Sequence, residues 1–268
     1  MLSSLRPLLM FLCVLLAACV ASATAGAAET DLDRSRIAAR LKAAYPEFVS
    51  GIDGTSVVFL DGTRLLFDDG KAKSAEERLA DPDIDDMFRQ PYPWGASLTP
   101  PEHDSDPGRA RNAAFFSKIY GDCRKPGFAR SLARVAWLPK RSKQTLLFTT
   151  VNGAAKKLQA VSDELDALPS KFDVFLVPSA GTYICRPIAG TNRLSAHGYG
   201  IAIDIGVKRS DYWRWNKHGA NGAPRYRNEV PEEIVKIFEK HGFIWGGRWY
   251  HYDTMHFEYR PELVDLID

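Results

Sequence analysis

Apolar residues recur along the chain in two rhythms, one of period near 3.6 and one of period 2. Ile37, Leu41 and Tyr45 fall at helical spacing, with Asp31 and Asp33 near the start where the helix dipole favours anions, which predicts a helix over 31–44. Val57-Val58-Phe59-Leu60, then Asp61-Gly62, then Thr63 to Phe67 predicts a β-hairpin, because Asp-Gly supplies the positive φ angles of a two-residue turn. Pro91 to Pro107 is rich in proline and turn formers and predicts a long ordered loop. Leu158, Val161, Leu165 and Leu168 form a helical stripe that Pro169 ends, and Phe172–Val177 is an apolar run predicted as a strand.

Further along, Ile201, Ile203 and Ile205 alternate with Ala202 and Asp204, which predicts a strand. Pro231 opens a helix with Glu232 and Glu233 in its first turn, and Lys240, His241 and Gly242 close it. Met255, Phe257 and Tyr259 alternate with His256 and Glu258, so one face points to the core and a polar face points elsewhere. Helices and strands in this irregular order predict an α+β fold: a small antiparallel sheet flanked by helices, with an N-terminal helix and β-hairpin as an extension.

The first residues follow a different pattern. Arg6, an apolar run from Leu8 to Ala18 and small residues through Ala28 describe a secretory signal segment over 1–28. Ala21-Ser22-Ala23 and Ala25-Gly26-Ala27 fit small-x-small cleavage. Leu16-Ala17-Ala18-Cys19 resembles a bacterial lipobox, in which Cys19 would be lipidated and form the one link to a membrane. The apolar run is shorter than the roughly 20 residues of a membrane span. The mature chain is therefore expected outside the cytoplasm, in a bacterial periplasm, with an N-terminal extension over 29–144 preceding a second unit over 145–268.

Composition narrows the partners. The 268 residues carry 35 Lys and Arg against 33 Asp and Glu, a formal charge of +2, so no basic excess is available for nucleic acid. Cys123 and Cys185 remain after export, and in an oxidising compartment they predict one disulfide closing a loop of about 60 residues, two buried thiols being the alternative. Too few cysteines remain for a four-thiolate zinc site.

Two segments carry chemistry, Ser195-Ala196-His197-Gly198-Tyr199-Gly200-Ile201-Ala202-Ile203-Asp204 and His251-Tyr252-Asp253-Thr254-Met255-His256-Phe257-Glu258-Tyr259. If the polar faces of their strands meet, His197, Asp204 and His256 offer two imidazoles and a carboxylate to one metal and leave a fourth position open, the arrangement of a catalytic zinc site. A turn histidine and a strand-ending aspartate are the duller readings. Glu258 reads as a supporting residue rather than a ligand. Trp213, Trp215, Trp245, Trp249 and Tyr250 read as core packing rather than as the wall of a groove.

Ser-x-His-x-x-Gly-x-Ala-x-Asp, followed by Asp-x-x-His-Phe, resembles the VanY-like zinc D-alanyl-D-alanine carboxypeptidase and L-alanyl-D-glutamate endopeptidase family, whose metal-site fold is shared with the hedgehog signalling domain. Ser195, His197, Gly200, Ala202 and Asp204 occupy the fixed positions of the first motif, and the resemblance spans roughly residues 145–262. It implies that His197, Asp204 and His256 hold zinc and that Asp253 is the general base. The base is Asp rather than Glu, which leans toward the endopeptidase branch. Arg186 resembles the arginine that such enzymes place near the substrate, a surface arginine being the alternative; Ser195 and His251 are read beside it on the substrate side, His251 orienting the site or touching the oxyanion or else serving as a structural histidine. Ser195 is read as hydrogen-bonding within its turn, since no base stands ready to activate it. The implied activity is hydrolysis of peptidoglycan stem peptides. Alternatives are a non-catalytic zinc-fold protein that binds the cell wall, and a zinc peptidase or amidase acting on another envelope peptide.

Overall fold

The computed structural model of the chain describes residues 33–215 and 223–264. The signal segment, Cys19 and Asp31 lie outside the described residues. Helix α1 (33–44) leads into an antiparallel sheet of β1 (Val49–Asp53), β2 (Ser56–Phe59) and β3 (Arg64–Leu66). The predicted hairpin is β2–β3, with Gly62 at φ +82° in its turn. A strand the sequence pattern did not predict, β1, pairs on its other side. Ser74 caps α2 (Ala75–Ala80) through a capping box with Glu77, and Asn112 caps α3 (Ala113–Tyr120) by accepting from the Phe115 N–H.

A second antiparallel pair, β4 (Leu132–Ala136) with β5 (Thr145–Thr149), precedes α4 (Ala154–Leu165). The predicted strand at Phe172–Val177 is instead a short helical stretch that includes α5 (Asp173–Leu176). Phe172 and Leu176, four apart, are the residues it buries, so the run has the helical period and not the period of 2. The last sheet has the order β6 (Ala202–Asp204), β8 (His256–Tyr259), β7 (Phe243–Trp245), antiparallel throughout, with α6 (Glu232–Lys240) leading into β7. Gly242, at φ +86°, turns the chain out of α6.

The fold is α+β. One apolar core runs from Leu41 and Tyr45 beside the first sheet, through Phe115 and Phe148, to Phe238 and Phe257 at the last. The core is thus continuous across residue 144. A disulfide joins Cys123, just after α3, to Cys185, with Cα atoms 5.7 Å apart. Among the described residues no helix is long and apolar enough to cross a membrane.

Candidate metal centre and active site

Register in the last sheet brings the two motifs together. Asp204 at the end of β6 is the direct cross-strand partner of His256 at the start of β8. His197 arrives from the turn just before β6, which Gly200 closes at φ +70°, where a Cβ would stand 3.2 Å from the Thr149 backbone nitrogen. One ligand atom from each of His197, Asp204 and His256 lies within 4.8 Å of the others. His197 Nε2 is 3.3 Å and His256 Nδ1 is 2.9 Å from the same oxygen, Asp204 Oδ1.

The outer nitrogens of both rings are already committed. His197 Nδ1–H donates to the Thr182 carbonyl oxygen at 2.6 Å, and His256 Nε2–H donates to Glu258 Oε1 at 2.9 Å. A carbonyl and a carboxylate can only accept, so in the neutral imidazoles a metal requires, the protons stay on these outer nitrogens and the facing nitrogens, His197 Nε2 and His256 Nδ1, would offer lone pairs beside Asp204. Without a metal, protons on the facing nitrogens bind Asp204; a divalent cation would take their place. This donor set fits a divalent metal, with its outer partners fixing each tautomer.

In the metal-free chain, protons shared with Asp204 stand where the cation would. Burial favours the neutral form of Asp204, but its hydrogen bonds with His197 and His256 outweigh that and hold it well below the usual carboxylate range. Burial likewise lowers the His256 pKa, yet bonds to Asp204 and Glu258 lift it to about 10. Glu258 is fully buried; Arg111, His256 and Arg260 overcome that burial and bring it to about 2. The polar face of β8 is therefore not turned to solvent: its charges are enclosed in an ion network.

Asp253 stands at the entry to β8. Its carbonyl accepts from the His256 N–H at 3.2 Å, which makes the turn that an extended chain would lack. Its own N–H donates to the Gly246 carbonyl at 3.0 Å, and a Cβ on Gly246 would come within 2.5 Å of the Asp253 carbonyl oxygen, so the close approach requires glycine. Asp253 Oδ1 is buried without a hydrogen-bond partner. Burial raises its pKa to about 6, with His256, Arg109 and His197 pulling against the rise and Asp204 adding to it. A carboxylate so placed is poised to exchange a proton near neutral pH.

Residues 189–259 match the D-alanyl-D-alanine carboxypeptidase family model. This carboxypeptidase-like segment is about a quarter of the chain and contains His197, Asp204, Asp253 and His256. The resemblance carried by the two motifs therefore holds, and it makes the segment peptidase-like. No curated protein and no solved structure matches the chain.

Of the other expected residues, Arg186 precedes the carboxypeptidase-like segment and the rest lie within it. Arg186 is exposed in a groove of about 220 Å³ with Arg124, Cys185, Pro187, Asn192 and Leu194, and its carbonyl accepts from the Ser195 N–H at 3.1 Å. Ser195 is buried, and its carbonyl accepts from the Gly198 N–H at 2.8 Å. His251 Nδ1 pairs with Asp106 Oδ2 at 2.7 Å. Trp245 and Trp249 are core residues, while Trp215 is exposed.

Sequence reasoning missed the stretch 105–111, which lies along the strand approach like a strap. Ser105 and Pro107 carbonyls accept from the Tyr250 N–H and the Trp249 indole, and Asp106 takes the His251 N–H at 3.0 Å. Gly108 and Ala110 carbonyls accept from the Arg260 guanidinium, and Arg111 meets Glu258 Oε1 at 2.5 Å. The one signal was the length of the proline-rich loop, since ordered loops of that size are commonly functional.

Proposed function

We propose that the protein is an extracytoplasmic zinc metallopeptidase that hydrolyses peptide bonds in peptidoglycan stem peptides. The reading rests on one observation: both imidazoles have their outer nitrogens tied to acceptors, so their inner nitrogens converge with Asp204 beside Asp253, whose buried Oδ1 has no hydrogen-bond partner. His197 Nε2, Asp204 Oδ1 and His256 Nδ1 would hold the metal. Zinc, when bound, acidifies water and polarises the scissile carbonyl. Asp253 takes the proton of the attacking water on its free oxygen and returns it to the leaving nitrogen. Thr182 and Glu258 keep the two rings from rotating. Arg186 would hold a substrate carboxylate or the developing oxyanion.

A non-catalytic wall-binding protein has no use for a buried carboxylate oxygen left without a hydrogen bond beside the ligand set, which favours the enzyme. The short reach of Asp253 favours internal cleavage over removal of a terminal residue. Export to a bacterial periplasm follows from the pattern of residues 1–28, with a lipid anchor if Cys19 is modified, and no nucleic-acid partner is proposed. Metal analysis of the purified mature protein, paired with mass identification of the products of a whole-peptidoglycan digest, tests the reading. About one zinc per chain and a defined cleaved bond are expected. Full activity after complete metal removal would overturn it.

A further inference from the structure

The first motif is framed by the arm 180–188 that precedes it. Ala180 N–H donates to the Asp204 carbonyl at 2.8 Å, and Asp204 N–H donates to the Gly181 carbonyl at 2.9 Å. The Thr182 carbonyl takes the Nδ1 proton of His197, and Ile184 N–H donates to the His197 carbonyl at 3.3 Å. The Arg186 carbonyl then accepts from the Ser195 N–H, and Pro187 pairs antiparallel with Leu194. One extended stretch thus touches two of the proposed ligands, and it meets His197 at both ring and backbone.

Little packing holds that arm in place. Thr182 is buried, with its hydroxyl donating to the Leu147 carbonyl at 2.7 Å, but none of residues 183–193 is buried. A stretch with so few buried contacts opens locally at small cost. Its outer side is tied instead to the region just after α3. Cys185 is bonded to Cys123, and the Tyr183 ring stacks on Phe128 with centroids 5.6 Å apart. α3 is a firm anchor, since it buries Phe115, Phe116, Ile119 and Tyr120. From Thr182 to Cys185 is three residues of chain, a reach of at most about 10 Å. The covalent tie therefore falls close to the carbonyl that fixes the His197 tautomer and ring direction.

We infer that Cys123 and Cys185 are a positioning pair for the metal centre: their disulfide holds the arm against the end of α3, so that the Thr182 carbonyl keeps the His197 ring turned toward Asp204 and His256. The inference rests on the metal reading of those three residues and adds to it a part supplied from outside the family-matched segment. The role differs from the ordinary effect of a cross-link, which acts on the unfolded chain. Here the bond shapes the folded site.

The test compares the mature protein with its Cys123→Ser/Cys185→Ser variant, under conditions where circular dichroism shows both folded. If the variant does not fold, mature protein reduced with a phosphine, alkylated and desalted takes its place. Two quantities are read: the zinc dissociation constant, by competition with a chromophoric chelator, and the exchange of two ring protons by NMR. These protons are His197 Nδ1–H and His256 Nε2–H; the second is held by Glu258 on β8 and serves as the internal reference. Without the disulfide, zinc should bind about 10–100-fold more weakly. The His197 proton should be lost to fast exchange while the His256 proton keeps its rate. Equal zinc affinity, an unchanged His197 proton, or equal acceleration of both protons overturns the positioning role. If the mature protein binds no zinc, the metal reading falls. The two ring protons of the metal-free chain then decide by themselves whether the disulfide holds the His197 ring.

Discussion

Glu258 accepts the Nε2 proton of His256 at 2.9 Å, on the side of the ring that faces away from Asp204. The same carboxylate oxygen receives Arg111, and Arg260 stands 3.7 Å from the other oxygen, all at full or nearly full burial. The glutamate therefore both fixes the imidazole and neutralises one largely and one fully buried cation.

Glu258→Gln should be expensive, because it leaves buried positive charge uncompensated. A loss of about 3–5 kcal/mol is expected in urea unfolding, with metal affinity weakened by about 10–100-fold. The pH dependence has a definite sign. Glu258 falls from an ordinary 4.5 to about 2 in the folded chain. Its contribution of about 3 kcal/mol is fully present above pH 4.5 and is lost as pH falls toward 2. Unfolding free energies of metal-free protein across that window should slope steeply, and the slope should flatten in Glu258→Gln.

Metal retention and turnover should separate between two variants. His197→Ala should lose zinc on dialysis. Asp253→Asn should keep zinc but lower turnover by roughly 10²–10⁴, the usual contribution of a general base. Zinc loss from Asp253→Asn equal to that from His197→Ala would make Asp253 a ligand; full activity would remove it from the mechanism.

The acid limb of the kcat profile should respond to Arg109. Asp253 must be ionised to act, and His256, Asp204, Arg109 and His197 are the charged or titratable groups acting on it. Removing the Arg109 cation leaves burial and Asp204 less opposed, so the Asp253 pKa rises. Arg109→Gln should therefore move the acid limb to higher pH. An unchanged limb would mean that Arg109 does not act on Asp253.

The Cys123–Cys185 disulfide closes a loop over a sequence separation of 62. Replacing both cysteines by serine should reduce unfolding free energy by about 3–4 kcal/mol under non-reducing conditions, mainly by freeing the unfolded chain. Chemical denaturation of the paired proteins measures this directly.

The proposed ligands were legible because local geometry carries them. His197 and Asp204 flank one short turn and strand, and His256 follows Asp253 by three residues in a strand whose alternation is plain. Asp106, Arg109 and Arg111 were not legible, since Arg111 meets Glu258 across 147 residues and no local period reports such a contact. The Phe172–Val177 run misled for the opposite reason: a short apolar run looks alike in either period until its buried side is known. The β1 strand escaped because Gly51 interrupts its alternation and its pairing with β2 is irregular there.

Arg260 has no exposed surface, and the carbonyl oxygens of Gly108 and Ala110 accept from it while Glu262 takes its Nε proton. A fragment beginning at residue 145 would keep Glu258 and Glu262 beside that guanidinium but lose both carbonyl acceptors and the Phe116 ring that covers it. The catalytic strand is consequently not transplantable by itself. Any chain that borrows it, by recombination or by engineering, must also bring carbonyl oxygens to Arg260, so the two stretches are expected to be inherited as one piece.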